Sequence, residues 1–205
     1  KQRAKFIQRG RCKMELLNPL ISEYTWANKP SVAPLGQIIC VTDVGENGSL
    51  WRGNGTKWVR LSQILFYDLT AAFAITGTTL ETTLLTVNIP AGLIGISGKV
   101  KMYPLYSMTN NANTKILRVK LGGSTAFSVA VSNSLQSSAL VIIRNIGSES
   151  VQKSSTAVVS GLGNIGTALT TLAIDTSVAT TITVTGQLAN SADTMTLEGF
   201  FMEIV

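Results

Sequence analysis

The chain contains no histidine, so the imidazole of Ser/His/Asp and Cys/His catalysis and the commonest zinc-ligand sets are missing. Paired carboxylates remain open, because two acids can cleave a glycosidic bond without imidazole. The candidates are Asp175, Asp193, Glu198 and Glu203, which are sparse and fall in or beside turns and strands. A polysaccharide depolymerase working through Asp175, Asp193 or Glu198 is therefore a disfavoured alternative. The chain is short for that task and shows no repeated β-helix period. A non-enzyme with no catalytic residue, no cofactor and no metal is expected.

Two motifs suggest chemistry and fail on context. "GLGNIG", Gly161 to Gly166, matches the dinucleotide-phosphate pattern, but a Thr-rich segment follows it and the next acid, Asp175, comes too early. A glycine loop between strands is the favoured reading. "NGS" (47–49) and "NGT" (54–56) fit the glycosylation pattern, but no segment with a charged start, apolar run and cleavage site opens the sequence, so both read as turns. Lys1 is expected to be the first residue of a processed or partial form.

Trp51 and Trp58 in "SLWRGNGTKWVRL" (49–61) offer another chemistry, a stacking platform for sugars. Their placement favours architecture instead. Asn-Gly is the preferred two-residue hairpin loop, since a type I′ turn needs positive φ at both positions. A turn at Asn54-Gly55 sets Trp51 opposite Trp58 and Arg52 opposite Lys57. A second turn at Asn47-Gly48 sets Asp43 opposite Arg52 and offsets the repulsion of the two cations. The pattern predicts a three-stranded meander over 37–46, 49–53 and 56–61. One face carries an Asp43, Arg52, Lys57 row and the other a Trp51/Trp58 pair that forms a small core.

Charge divides the chain. Residues 1–60 hold ten Lys/Arg against four acids and residues 61–205 hold seven of each, so the net +6 lies in the first segment. Residues 1–30 read as an extended basic docking arm, with Lys1, Arg3, Lys5, Arg9, Arg11 and Lys13 facing acidic partner surfaces and "NKPSVAP" (28–34) ending it. Nucleic acid is a disfavoured partner because the arm lacks interleaved stacking aromatics. Cys12 and Cys40 are expected to be reduced, buried thiols. No apolar stretch approaches the roughly 18 residues of a membrane helix, so no membrane insertion is expected.

The remainder is rich in Thr, Ser, Gly, Ala and Val, which suits β-structure. Alternation in "ILRVKL" (116–121), "AFSVAV" (126–131) and "ATTITVTG" (179–186) predicts strands with one buried side. Further strands are expected over 82–89, 99–106, 139–145, 151–158 and 168–174. In "MTLEGFFMEIV" the apolar phase flips at Gly199, and a bulge there would return Met195, Leu197, Phe200, Met202 and Ile204 to one face. The expected fold is all-β: arm 1–30, meander 31–62, linker 63–79 and an antiparallel, jelly-roll-like sandwich over 80–205. Weak surface charge on the sandwich favours a subunit in an assembly.

Several segments resemble tailed-bacteriophage virion structural proteins. Residues 24–61 carry Trp26, Pro30, Thr42-Asp43-Val44-Gly45, Gly48-Ser49-Leu50-Trp51 and Gly55-Thr56-Lys57-Trp58, as in a small module of those proteins. "VNIPAGLIG" (87–95), "YSMTNNANTKILRVKLGG" (106–123) and "TITVTGQLANSADTMTLEGFFMEI" (181–204) resemble the C-terminal β-domain of phage fibre or spike-like proteins. The resemblance implies a virion location after synthesis in the host bacterial cytoplasm, homotrimeric packing, and partners among capsid, portal or tail-adaptor proteins. A surface fibre or spike that attaches to the host, with surface polysaccharide as a possible receptor, is the expected function. A capsid decoration or cementing protein is the alternative. The resemblance supplies no receptor-binding residue.

Overall fold

A computed structural model describes residues 21–44, 48–61, 64–69, 71–154 and 168–205. It is all-β, with no helix among the described residues. Two compact units divide at 66/67.

The first unit is a four-stranded sheet, β1 (Ser22–Tyr24), β2 (Ile38–Val41), β3 (Ser49–Gly53) and β4 (Trp58–Arg60), ordered β1-β2-β3-β4. The three expected meander strands are present and antiparallel, β3 at its expected bounds and β2 and β4 shorter. β1 adds a parallel edge, pairing Ser22 with Ile39 and Tyr24 with Val41. Residues 22–24, expected as part of a docking arm, therefore belong to the small sheet.

The turn between β3 and β4 differs from the expected two-residue loop, and Asn47 of the other expected turn lies outside the described residues. β3 pairs with β4 as Trp51 with Arg60, Arg52 with Val59 and Gly53 with Trp58, which leaves a four-residue loop over 54–57. The cause is the Asn54 side chain: its Oδ1 accepts the Thr56 and Lys57 amides at 3.1 and 2.8 Å and the Thr56 hydroxyl at 3.0 Å. That local ring competes with the tight turn. Positive φ occurs at Gly55 and not at Asn54, which excludes type I′. Trp58 thus stays on the Trp51 face but moves one pair along.

β2 pairs with β3 as Ile38 with Arg52 and Val41 with Ser49. The Asp43, Arg52, Lys57 row is not formed. Ile38 and Val59 flank Arg52, Lys57 lies in the loop, and Thr42 and Asp43 turn towards β1. The Thr42 amide donates to the Tyr24 carbonyl at 2.9 Å, and the Trp26 amide donates to Asp43 Oδ1 at 2.6 Å. At Gly53 the backbone passes so close that an added Cβ would stand 2.0 Å from the Pro34 carbonyl oxygen, so this position needs glycine.

The second unit is a sandwich of two antiparallel sheets. One has the order β10-β9-β15-β7, from β7 (Thr82–Ile89), β9 (Lys115–Leu121), β10 (Ser124–Val131) and β15 (Thr180–Leu188). The other runs β14-β13-β12-β8-β16-β5, from β14 (Thr170–Leu172), β13 (Gln152–Ser154), β12 (Val141–Asn145), β8 (Lys99–Met108), β16 (Thr194–Ile204) and β5 (Ile64–Asp68). β11 (Gln136–Ser138) also pairs with β8, and β6 (Phe73–Thr76) with β16. The inner faces close over Val100, Met102, Leu117, Val119, Leu121, Ile182, Val184, Leu188 and the β16 side chains.

Several local features follow from the sequence. The register of β16 against β8 shifts between Leu197 and Gly199, leaving Glu198 as the extra residue, and Met195, Leu197, Phe200, Met202 and Ile204 are all buried. Gly122 and Gly123, both at positive φ, make the two-residue loop joining Leu121 to Ser124. Pro104 has no N–H to give its neighbour. The adjoining edge accordingly breaks there, β11 ending opposite Leu105 and β12 starting opposite Met102.

The expected linker 63–79 is not a linker throughout. β5 and β6 lie in it and cover the edge of β16, β6 pairing with Thr194–Leu197 and the Leu69 amide donating to the Phe200 carbonyl at 2.8 Å. An eleven-residue strand presents a long row of backbone groups, and pairing this edge satisfies them.

Candidate functional site

In the small unit the aromatic cluster is built around Trp51, which is buried on the β3 face that meets Ile39. Its Nε1 donates to Ser49 Oγ at 2.7 Å. Its ring partner is Trp26, with centroids 5.0 Å apart and planes at 56°. Trp26 was singled out above only within the resemblance; the loop after β1 carries it there. Lys29 Nζ sits 3.9 Å from the Trp26 ring centroid and donates to the Trp26 carbonyl at 3.2 Å. Burial pushes the Lys29 amine below its ordinary value, and the Asp43 charge opposes that shift. Trp58 is half-buried and donates from Nε1 to the Pro30 carbonyl at 2.7 Å. The Trp51 and Trp58 indole N–H groups are thus spent on local structure, and a buried Trp51 offers no face to a sugar.

The carboxylates considered for catalysis are each held locally. Asp175 Oδ1 accepts the Ser177 hydroxyl and amide at 2.5 and 2.9 Å, and these bonds hold its carboxyl below the usual value. Glu198 accepts the Ser107 hydroxyl. Glu203 stands 4.0 Å from Lys101 Nζ.

Asp193 lies in a buried polar cluster. Lys115 is 0% exposed, and its Nζ is 3.3 Å from Asp193 Oδ2. Asn111 donates to Asp193 Oδ1 at 2.7 Å and Asn113 to Oδ2 at 3.1 Å, while Lys115 Nζ also donates to Asn111 Oδ1 and the Asn113 carbonyl at 2.5 and 2.9 Å. The hydrogen bond from Asn111 holds the Asp193 carboxyl low; burial opposes this, and Asn113 and Lys115 reinforce it. A carboxylate this fully partnered ties the loop before β9 to the loop before β16. It is unsuited to donate or accept a proton at a substrate.

On the outer face of the four-stranded sheet, Glu81 collects the cations. Its carboxylate is 2.6 Å from Lys120 Nζ and 3.3 Å from Arg118 Nη1, and it accepts the Thr185 hydroxyl at 2.7 Å. Burial works to raise the Glu81 carboxyl, but Lys120, Thr185 and Arg118 outweigh it and hold it below its ordinary value.

No protein-family model matches the chain, and no curated protein does. Among solved structures it is similar to dimeric latent PorU from Porphyromonas gingivalis, at 12% identity and a TM-score of 0.33 over 69% of this chain and 13% of that one. It is also similar to the infectious bursal disease virus Gx strain structure, at 13% identity and a TM-score of 0.27 over 73% of this chain and 44% of the other. A third is the VP2 subviral particle of that virus, at 10% identity and a TM-score of 0.20 over 80% and 51%. The chain spans between 13% and 51% of the length of these chains. At such TM-scores the likeness says nothing about function.

Among the described residues, no group of three or more His, Cys, Asp or Glu side chains is placed to hold a metal ion, and no helix is long and apolar enough to cross a membrane. The arm residues Lys1, Arg3, Lys5, Arg9, Arg11 and Lys13, together with Cys12 and the 161–166 glycine motif, lie outside the described residues. Cys40 is buried in β2.

Proposed function

We propose that the chain is a non-enzymatic subunit on the surface of a tailed-bacteriophage virion. The basic N-terminal arm anchors it, and the sandwich, wound in jelly-roll fashion and packed as a homotrimer, projects towards the host. One observation carries this reading: the net charge is confined to the N-terminal end of the chain, and the rest is balanced. Residues 1–13 hold the whole net +6, residues 14–66 balance four cations against four acids, and residues 67–205 balance seven against seven. A charged terminal segment suits docking onto acidic capsid, portal or tail-adaptor surfaces, and a neutral sandwich suits presentation. The resemblance of residues 24–61, 87–95, 106–123 and 181–204 to phage fibre and spike-like proteins supports the same assignment. Capsid cementing is the second reading, since a balanced sandwich could equally bridge shell subunits.

The test is deletion of residues 1–20, which spares β1 and Trp26. The shortened chain is expected to melt as the parent does but to be nearly absent from purified particles, measured by gel densitometry against the major shell protein. Parent-level incorporation contradicts the anchoring role. In the same gels, parent stoichiometry near that of the shell protein favours cementing over attachment.

A further inference from the structure

The outer face of the larger sheet carries an unneutralised row of cations. Lys153 of β13 is the direct cross-strand partner of Arg144 of β12, and Arg144 is the direct partner of Lys99 of β8. All three point outward, because their strand neighbours Gln152, Ser154, Ile143, Asn145 and Val100 are buried. Lys101 follows on the same face, beside Ile142 and Glu203. Strands stand about 4.7–4.9 Å apart, so the three charges span roughly 10 Å.

Like charges directly opposed across strands destabilise a sheet. The other sheet answers its cations with Glu81, whereas here, among the described residues, Lys99, Arg144 and Lys153 have no carboxylate within ion-pair distance. Lys153 donates to the Thr171 hydroxyl at 2.5 Å, and Glu149, the acid nearest to it in sequence, lies 3.7 Å from where a Gly92 Cβ would stand.

Beneath the row the sheet is pinned. Gln152 Nε2 donates to Asn145 Oδ1 at 3.0 Å and to the Glu149 and Ile174 carbonyls at 3.0 and 2.9 Å, and Asn145 Nδ2 donates to Thr176 Oγ1 and the Gly95 carbonyl at 2.9 and 2.7 Å. A satisfied buried network of this kind holds the strand ends, and with them the cations, in fixed register.

We infer that this face binds an anionic polysaccharide, its carboxylates on Lys153, Arg144 and Lys99 and its sugar rings along Ile142 and the Tyr103/Phe201 pair. Those two rings stack at 4.3 Å and 16°, two residues from Lys101 on the same face. The arginine fork matches a carboxylate, and the apolar shelf suits the C–H face of a pyranose. Single-stranded nucleic acid fits less well: each ring already has one face covered, and residues 67–205 have no net positive charge to draw a polyphosphate.

The inference rests on the attachment reading, yet the two can fail separately, because sugar binding is measured on purified protein and anchoring on particles. The full chain is titrated with polygalacturonate, with dextran and oligo-dT in parallel. Two variants accompany it: Lys99→Gln/Arg144→Gln/Lys153→Gln on the face, and Lys1, Arg3, Lys5, Arg9, Arg11 and Lys13 all to Gln in the N-terminal segment. Polygalacturonate is expected to bind the parent and the N-terminal variant alike and the face variant at least about tenfold more weakly, one lost charged contact being enough for that factor. Dextran should not bind. The face variant should melt no lower than the parent, since it removes repulsion. Equal binding by the face variant, loss confined to the N-terminal variant, or tighter face-dependent binding of oligo-dT would overturn the assignment.

Discussion

Replacing Lys115 with methionine is expected to destabilise the sandwich by about 3–5 kcal/mol, the usual cost of removing one member of a buried ion pair. The lysine is 0% exposed, and its loss leaves the Asp193 carboxylate buried beside Asn111 and Asn113 without a counter-charge. Urea denaturation reads the loss directly. Adding Asp193→Asn removes the stranded charge and should recover part of it, whereas independent, additive losses would mean that the pair does not act as a unit.

The same cluster sets an acid limit. The Asp193 carboxyl is held low by Asn111, and by Asn113 and Lys115 against the effect of burial, so the folded state binds its proton less readily than the unfolded chain does. The stability it confers is present above the ordinary carboxylate range and is lost as pH falls through its folded-state value. Glu81 acts in the same direction, because its cation contacts outweigh its burial. The parent's urea midpoint should hold from neutrality to about pH 5 and decline below about pH 4.

Trp51→Ala is expected to cost the small unit about 3–5 kcal/mol, enough to unfold it. Trp51 is 5% exposed, packs on Trp26 and bonds Ser49, and a four-stranded sheet has little other apolar surface to lose. Tryptophan fluorescence should report unfolding of this unit while the sandwich keeps its own melting transition. Trp58 is half-buried, so Trp58→Ala should cost less. The reverse order would mean that the core centres on Trp58.

The contrast between the two tryptophans shows where sequence patterns suffice. Period-two alternation placed β9, β10 and β15 within a residue or two, the strand expected over 82–89 is β7, and the phase flip in β16 located its bulge beside Gly199. Those signals are local, because each strand must bury one face. Register in the small sheet was not legible in the same way. The Asn-Gly pair implies a tight turn, but the Asn54 side chain bonds the amides of Thr56 and Lys57 and widens the loop to four residues.

Long-range partners left still less trace. A tryptophan within the expected extended arm becomes the ring partner of Trp51 once β1 joins the sheet in parallel. The Lys115–Asp193 pair and the cover that β5 and β6 give to β16 depend on segments far apart in the chain. The cation row on Lys153, Arg144 and Lys99 exists only once three strands are aligned in register.

The most direct test of the virion assignment is labelling of intact particles with antibodies against residues 67–205, viewed by electron microscopy. Gold on the outside of native particles, at discrete positions that the deletion of residues 1–20 clears, is the predicted result. Particles that remain unlabelled while the chain accumulates in the soluble fraction of the lysate would contradict it.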